Sequence, residues 1–164
     1  IIDVGTGTGC IAVTLALELR NKNITATDIS HKILKIAKKN AEKYGVNINF
    51  KKSLWFEKIK EKFDVLVSNP PYISKEELLL LDNEVLEYDP IHALTLFDDG
   101  LGAYRYFAKN LNVILNKNGQ AFFEIGSTQK NDIIYIFKSN GFNEIFCFKD
   151  YYGKDRLLCV KKDA

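Results

Sequence analysis

The sequence predicts one α/β domain on a seven-stranded, mostly parallel sheet that closes in an antiparallel C-terminal strand pair. Three observations predict it. Short apolar runs alternate with stretches of helical periodicity, the pattern of parallel strands joined by crossover helices. The first run, Ile1-Ile2-Asp3-Val4, enters a glycine loop, Gly5 to Gly9, that opens a helical stretch. The last two runs have no helical stretch between them, and Asp150-Tyr151-Tyr152-Gly153-Lys154-Asp155 supplies turn residues instead. With 164 residues, 46% hydrophobic and 27% charged, the chain can bury a core without disulfides or metal.

In order along the chain, strands are expected at Ile1-Val4, Ile24-Thr27, Ile48-Phe50, Val65-Ser68, Ala121-Ile125, Ile145-Phe148 and Leu157-Val160. Helices are expected at Cys10-Leu19, Lys32-Tyr44, Tyr104-Leu115 and Gln129-Ser139. Ser30 reads as the N-cap of the second helix and Gly45 as the residue just past its end; Gly141 ends the last helix likewise. In that second helix Ile33, Leu34, Ile36, Ala37, Asn40 and Ala41 form an inward stripe, so the lysines from Lys32 to Lys43 read as its wet face. Ser74 to Leu101 is the least regular stretch. It holds one short helical pattern, Glu76 to Leu81, and then the breakers Asp89-Pro90 and Asp98-Asp99-Gly100. Long irregular segments after a sheet strand often carry substrate contacts.

The totals argue against several classes. A net charge of +2 lacks the basic excess of a nucleic-acid clamp. No apolar run is long enough to span a membrane, so a cytoplasmic protein is expected. Cys10, Cys147 and Cys159 lie far apart among apolar neighbours and read as buried thiols of a reducing compartment. His31 and His92 are isolated, and no set of residues has metal-ligand spacing, so no metal is expected.

Two motifs carry chemistry. In Asp3-Val4-Gly5-Thr6-Gly7-Thr8-Gly9 the glycines let the backbone turn sharply beside a ligand, and the helix start offers N–H groups. The dinucleotide fingerprint needs a third glycine where this chain has Cys10, which disfavours a nicotinamide or flavin dinucleotide. Asp28 ends the second strand, beside that loop in a doubly wound sheet, where a carboxylate can accept from both ribose hydroxyls. Read alone, these are a turn-rich loop and a capping aspartate; in this order they point to a nucleoside-bearing ligand.

The second motif, Asn69-Pro70-Pro71-Tyr72, follows the strand Asp64 to Ser68. The prolines stiffen the chain and remove donors, leaving carbonyls as acceptors. The Asn69 side chain and a backbone carbonyl, that of Pro70, can hold the two hydrogens of a planar NH2 group, and Tyr72 can lie against its flat face. Two acceptors raise electron density on an amide nitrogen and aim it at an electrophile, which suits N-methylation. A rigid loop or partner-binding segment is the alternative reading of the tetrapeptide.

These residues resemble the class I methyltransferases, and in particular the PrmC/HemK family of protein-(glutamine-N5) methyltransferases that act on peptide chain release factors. The resemblance runs through Asp3 to Ala12, Ala26 to Ser30, Ser53 to Phe56 and Phe63 to Ile73. Later landmarks are Tyr88-Asp89-Pro90 with Ala93-Leu94, Asp99-Gly100-Leu101 with Tyr104, Glu124-Ile125-Gly126 with Gln129, and Gly153-Lys154-Asp155-Arg156. It implies a Rossmann-like class I methyltransferase fold and S-adenosylmethionine as cofactor, with S-adenosylhomocysteine as product. Gly5, Thr6, Gly7, Thr8, Gly9, Asp28, Trp55 and Asn69 would hold the cofactor, Trp55 at the adenine. Asn69, Pro70, Pro71 and Tyr72 would receive the glutamine of the release factor's Gly-Gly-Gln motif. Glu124 and Arg156 read as structural and stay outside the site. Leu54 stands where the family has aspartate, and Leu96-Phe97 where it has paired glycines. Residues 1–164 read as the catalytic domain, with the family's N-terminal substrate-docking domain missing, and a monomer is expected. Nucleic acid is not expected as direct substrate. Two competing classes are a nucleic-acid base N-methyltransferase using the same amine-holding loop and a non-catalytic cofactor-fold binding module.

Overall fold

The computed structural model describes residues 1–20, 22–73 and 99–163. The elements are β1 (Ile2–Val4), α1 (Cys10–Glu18), β2 (Thr25–Asp28), α2 (His31–Lys43), β3 (Asn49–Lys52), β4 (Phe63–Ser68), α3 (Gly102–Ile114), β5 (Leu115–Glu124), α4 (Lys130–Ser139), β6 (Glu144–Lys149) and β7 (Asp155–Lys161). The strands form one seven-stranded sheet in the order β3-β2-β1-β4-β5-β7-β6. All pairings from β3 to β5 are parallel, and β7 lies antiparallel to both β5 and β6. This is the expected mixed sheet. The order reverses at β1, whose neighbours are β2 and β4, and the crevice outside the carboxyl ends of such strands is where open α/β sheets bind ligands.

Helices cover both faces. Ala12 and Val13 of α1 and Ala41 of α2 pack with Ile24, Ala26 and Ile48 on one side. On the other, Phe107 and Leu111 of α3 and Ile133 and Phe137 of α4 pack over Ile2, Val4, Leu66 and Phe123. The alternation along β1 divides these faces, since Ile2 and Val4 point one way and Asp3, in register with Ala26, points the other.

The expected caps form: Ser30 accepts from the Ile33 N–H, and Gly45 and Gly141 take left-handed φ of 66° and 91°. Three details differ from expectation. β5 begins at Leu115, not Ala121. Leu115 already pairs with Phe63, and the register then jumps to Val65 against Gln120, so Asn116 to Gly119 bulge from a strand that their turn-like composition hides. Ile36 is 48% exposed and falls outside the inward stripe of α2, which Leu34, Ala37 and Ala41 carry. Cys10 is exposed and Cys147 half-buried, leaving only Cys159 buried, because apolar neighbours in sequence do not share a helix or strand face. The short helix expected near Glu76, the Leu96-Phe97 departure and the landmarks from Tyr88 to Leu94 lie outside the described residues.

Candidate functional site

The carboxyl ends of β1, β2 and β4 lie side by side, and a small set of bonds locks the segments that leave them. Gly5 and Thr6 donate their N–H groups to the Thr27 carbonyl at 2.9 and 2.8 Å. Gly7 donates to Asp28 Oδ2 at 3.1 Å, while Asp28 Oδ1 accepts from Ser30 at 2.8 Å. Asp28 thereby clips the glycine loop to the end of β2 and caps the turn into α2, with lone pairs remaining on both oxygens. From α2, Asn40 Nδ2 donates to the Thr8 carbonyl at 2.8 Å. Gly5, Gly7 and Gly9 all have left-handed φ, at 72°, 56° and 86°, a region side chains rarely adopt.

Asp3 lies beneath this loop, 1% exposed. Its Oδ2 accepts from the Thr6 hydroxyl at 2.6 Å and from the Ala12 N–H at 3.1 Å, which ties β1, loop and α1 together. Its Oδ1 is buried with no hydrogen-bond partner among the described residues. Burial pushes its carboxyl up to about 6, against the pull of the Thr6 and Ala12 bonds and with a further push from Asp28.

Trp55 is a core residue with one edge at the site. It is 7% exposed and meets Phe107 edge-on at 4.9 Å, yet its ring comes within 3.7 Å of the place a Cβ on Gly5 would occupy. Leu54, beside it, is 36% exposed.

The Asn69 segment arrives from β4. Ser68 is buried and donates its hydroxyl to the Val4 carbonyl at 2.7 Å, fastening the end of β4 to the end of β1 immediately before the glycine loop. Asn69 is exposed, Pro70 buried and Pro71 and Tyr72 half-buried. The Tyr72 hydroxyl donates to Glu124 Oε1 at 3.1 Å. Burial first, and then the Glu124 carboxylate, raise the Tyr72 phenol above its usual value, with Arg156 pulling the other way. Arg156 also reaches the Ile125 carbonyl at 3.3 Å.

All the sequence-predicted site residues therefore gather along the carboxyl edges of β1, β2 and β4, with Trp55 largely withdrawn into the core. Glu124, which reads from the sequence as structural, accepts a hydrogen bond from Tyr72. The signal for it was weak, because the two residues lie 52 positions apart. Among the described residues no group of His, Cys, Asp and Glu could hold a metal ion, and no helix is long and apolar enough to cross a membrane.

The methyltransferase small domain family matches residues 1–113. The chain belongs to this family. It is similar to the release factor glutamine methyltransferase of Agrobacterium fabrum, 42% identical over 164 residues, covering 99% of this chain and 57% of that protein. The bifunctional methyltransferase of Rickettsia prowazekii (strain Madrid E) is 45% identical over 161 residues, or 96% of this chain and 31% of that protein. The chain thus spans between about a third and somewhat over half of these relatives' lengths. Among solved structures, a ribosomal protein L11 methylase from Lactobacillus delbrueckii subsp. bulgaricus superposes with a TM-score of 0.70 at 26% identity, covering 99% of this chain and 69% of that one. The hMettl16 catalytic domain in complex with an RNA hairpin shares the fold, with a TM-score of 0.73 at 17% identity over 99% of this chain and 65% of that one. The expected class I methyltransferase fold is thus the one observed.

Proposed function

We propose that the protein transfers a methyl group from S-adenosylmethionine to the side-chain amide nitrogen of a glutamine in the Gly-Gly-Gln motif of a peptide chain release factor. Residues 1–164 are its catalytic domain, and a cytoplasmic monomer is the expected form. The observation that carries this reading is one shared edge. The Ser68–Val4 bond sets the start of the Asn69 loop beside the start of a glycine loop that Asp28 clips in place. The relatives named release factor glutamine methyltransferase, at 40–42% identity, support the choice of substrate.

The residues present fit the cofactor. Asp3, with an unsatisfied buried oxygen, and Asp28, with lone pairs to spare, make an acidic floor for a ligand that carries an ammonium, a sulfonium and two ribose hydroxyls. The exposed Leu54 and the Trp55 edge offer an apolar wall suited to a base. When bound, the cofactor supplies an electrophilic methyl on a sulfonium. The chain's own part is to hold the nucleophile. The Asn69 side-chain oxygen and the Pro70 carbonyl accept the two hydrogens of the target NH2, and Tyr72 limits the tilt of the amide plane. Held in this way, the amide nitrogen would be aimed at the methyl that the cofactor supplies, and once methylated it would be cationic and acidic, so its proton would pass to water and no dedicated base would be needed.

The test is incubation of the full-length protein with labelled S-adenosylmethionine and, in parallel, a release factor, tRNA or rRNA, followed by peptide mapping. Label on the glutamine of Gly-Gly-Gln is expected. Label confined to RNA would overturn the reading.

A further inference from the structure

Four of the sequence landmarks, Gly100, Glu124, Gly126 and Gln129, meet around Tyr72. The Gln129 side-chain amide sits between two backbone groups: Oε1 accepts from the Gly126 N–H at 3.2 Å, and Nε2 donates to the Tyr72 carbonyl at 2.8 Å. One planar amide thus ties the loop after β4 to the exit of β5 and the start of α4, across 57 residues of sequence. Two glycines make room for it. A Cβ on Gly100 would stand 2.3 Å from the Tyr72 oxygen and 3.0 Å from Gln129 Nε2. A Cβ on Gly126 would stand 2.7 Å from Gln129 Oε1. Gly126 does not have a left-handed φ, so its backbone makes no demand for glycine and the demand is one of space alone. The far end of Tyr72 is held separately. Its hydroxyl donates to Glu124 Oε1, and the Tyr104 hydroxyl fixes Glu124 by donating to its carbonyl at 2.6 Å.

We propose that Gln129, seated by Gly100 and Gly126, is a positioning residue that sets the main chain at Tyr72 and so aims the acceptors of Asn69 and Pro70 at the target nitrogen. The inference rests on the reading of the Asn69 loop as the place that receives the substrate amide. Prolines fix φ at positions 70 and 71 but leave ψ at Pro71 and both torsions at Tyr72 soft. The bond to the Tyr72 carbonyl removes that remaining freedom at the downstream end, while the Ser68 bond to Val4 removes it upstream. An acceptor loop pinned at both ends is already in its working geometry before the amide arrives.

Three variants of the full-length protein test this. Gln129→Glu keeps an acceptor for Gly126 but replaces the donor to Tyr72 with an oxygen. Gln129→Leu loses both bonds. Gly126→Ala pushes on the same amide without changing Gln129. Methyl transfer to a release factor should lose on the order of a hundredfold in kcat, the scale of a small misplacement of reacting groups. Cofactor Kd, read by calorimetry, should stay at the wild-type value. Gly126→Ala combined with Gln129→Leu should add little to the loss of Gln129→Leu, because both break one contact. Wild-type kcat in Gln129→Glu, or equal losses of cofactor affinity and turnover in all three, would overturn the proposal. If the wild-type protein methylates no release factor, the substrate reading fails on its own. Hydrogen exchange at the Gly126 amide then decides for the latch: faster exchange in Gln129→Leu supports it and an unchanged rate overturns it.

Discussion

Around the glycine loop, most contacts join residues a few to some twenty positions apart, as Thr6 to Asp3, Ala12 to Asp3, Ser30 to Asp28 and Gly7 to Asp28 do, and the Asn40 bond to Thr8 spans 32. Around Tyr72 the partners lie 52 and 57 positions away, on the exit of β5 and the start of α4. The packing beneath differs too. Ala12, Val13, Ala26 and Ala41 line the cluster under α1 and α2, small enough to let helices approach the strands closely. The opposite face is a run of rings, with Phe123 stacked between Phe107 at 5.0 Å and Phe137 at 5.3 Å. The two halves of one site are therefore held by different means. The first half is set by local backbone geometry and two aspartates, and the second by side chains that a large aromatic core brings together.

The largest expected effect comes from breaking the aromatic side. Phe123 is fully buried, and Phe123→Ala should cost about 3–5 kcal/mol of stability, read by denaturant unfolding. A loss under about 1 kcal/mol would mean that the ring run does not support the substrate half. Next, Asp28→Ala removes the acceptor for Gly7 and Ser30 together with the proposed ribose contact. Cofactor affinity should weaken by about 1–3 kcal/mol, and calorimetry showing no change would remove Asp28 from the cofactor site.

A smaller effect concerns pH. The folded Asp3 carboxyl sits at about 6 against an ordinary 3.8. Its proton-linked contribution to stability is therefore full below the ordinary value and is lost as pH rises through about 6. A cationic ligand favours the ionised form, so cofactor affinity should run the other way, rising between about pH 5 and about pH 7 and then levelling. Asp3→Asn should flatten both trends, and an affinity profile that is already flat in the wild type would show that Asp3 does not sense the ligand.

The same difference between the halves explains what could be read from the sequence. Glycine spacing, the acid after the second strand and the Ser30 cap are short-range signals, and the structure carries the loop and cap that they predict. Asn69 to Tyr72 announced itself by two prolines, but what holds it did not. Glu124 reads as structural and Gln129 as a landmark alone, because a bond across 57 residues leaves no mark on local periodicity. Trp55 reads from the resemblance as a cofactor contact, and only the fold shows that it packs edge-on against Phe107 while its ring reaches Gly5. The early start of β5 was hidden by Asn116 to Gly119, whose composition reads as a turn although strand pairing brackets them.

The most direct measurement of the whole account is the kinetics of Asn69→Ala in the full-length protein with a release factor as substrate. Asn69 is exposed at the end of β4, and the prolines beside it are unchanged, so the fold should survive. Its acceptor matters most as the nitrogen gains positive charge, so the loss should fall on turnover, by about a hundredfold, with a smaller change in cofactor Kd. Glutamine methylation by Asn69→Ala at the wild-type rate would contradict the account, because the acceptor assigned to hold the target amide would then do nothing.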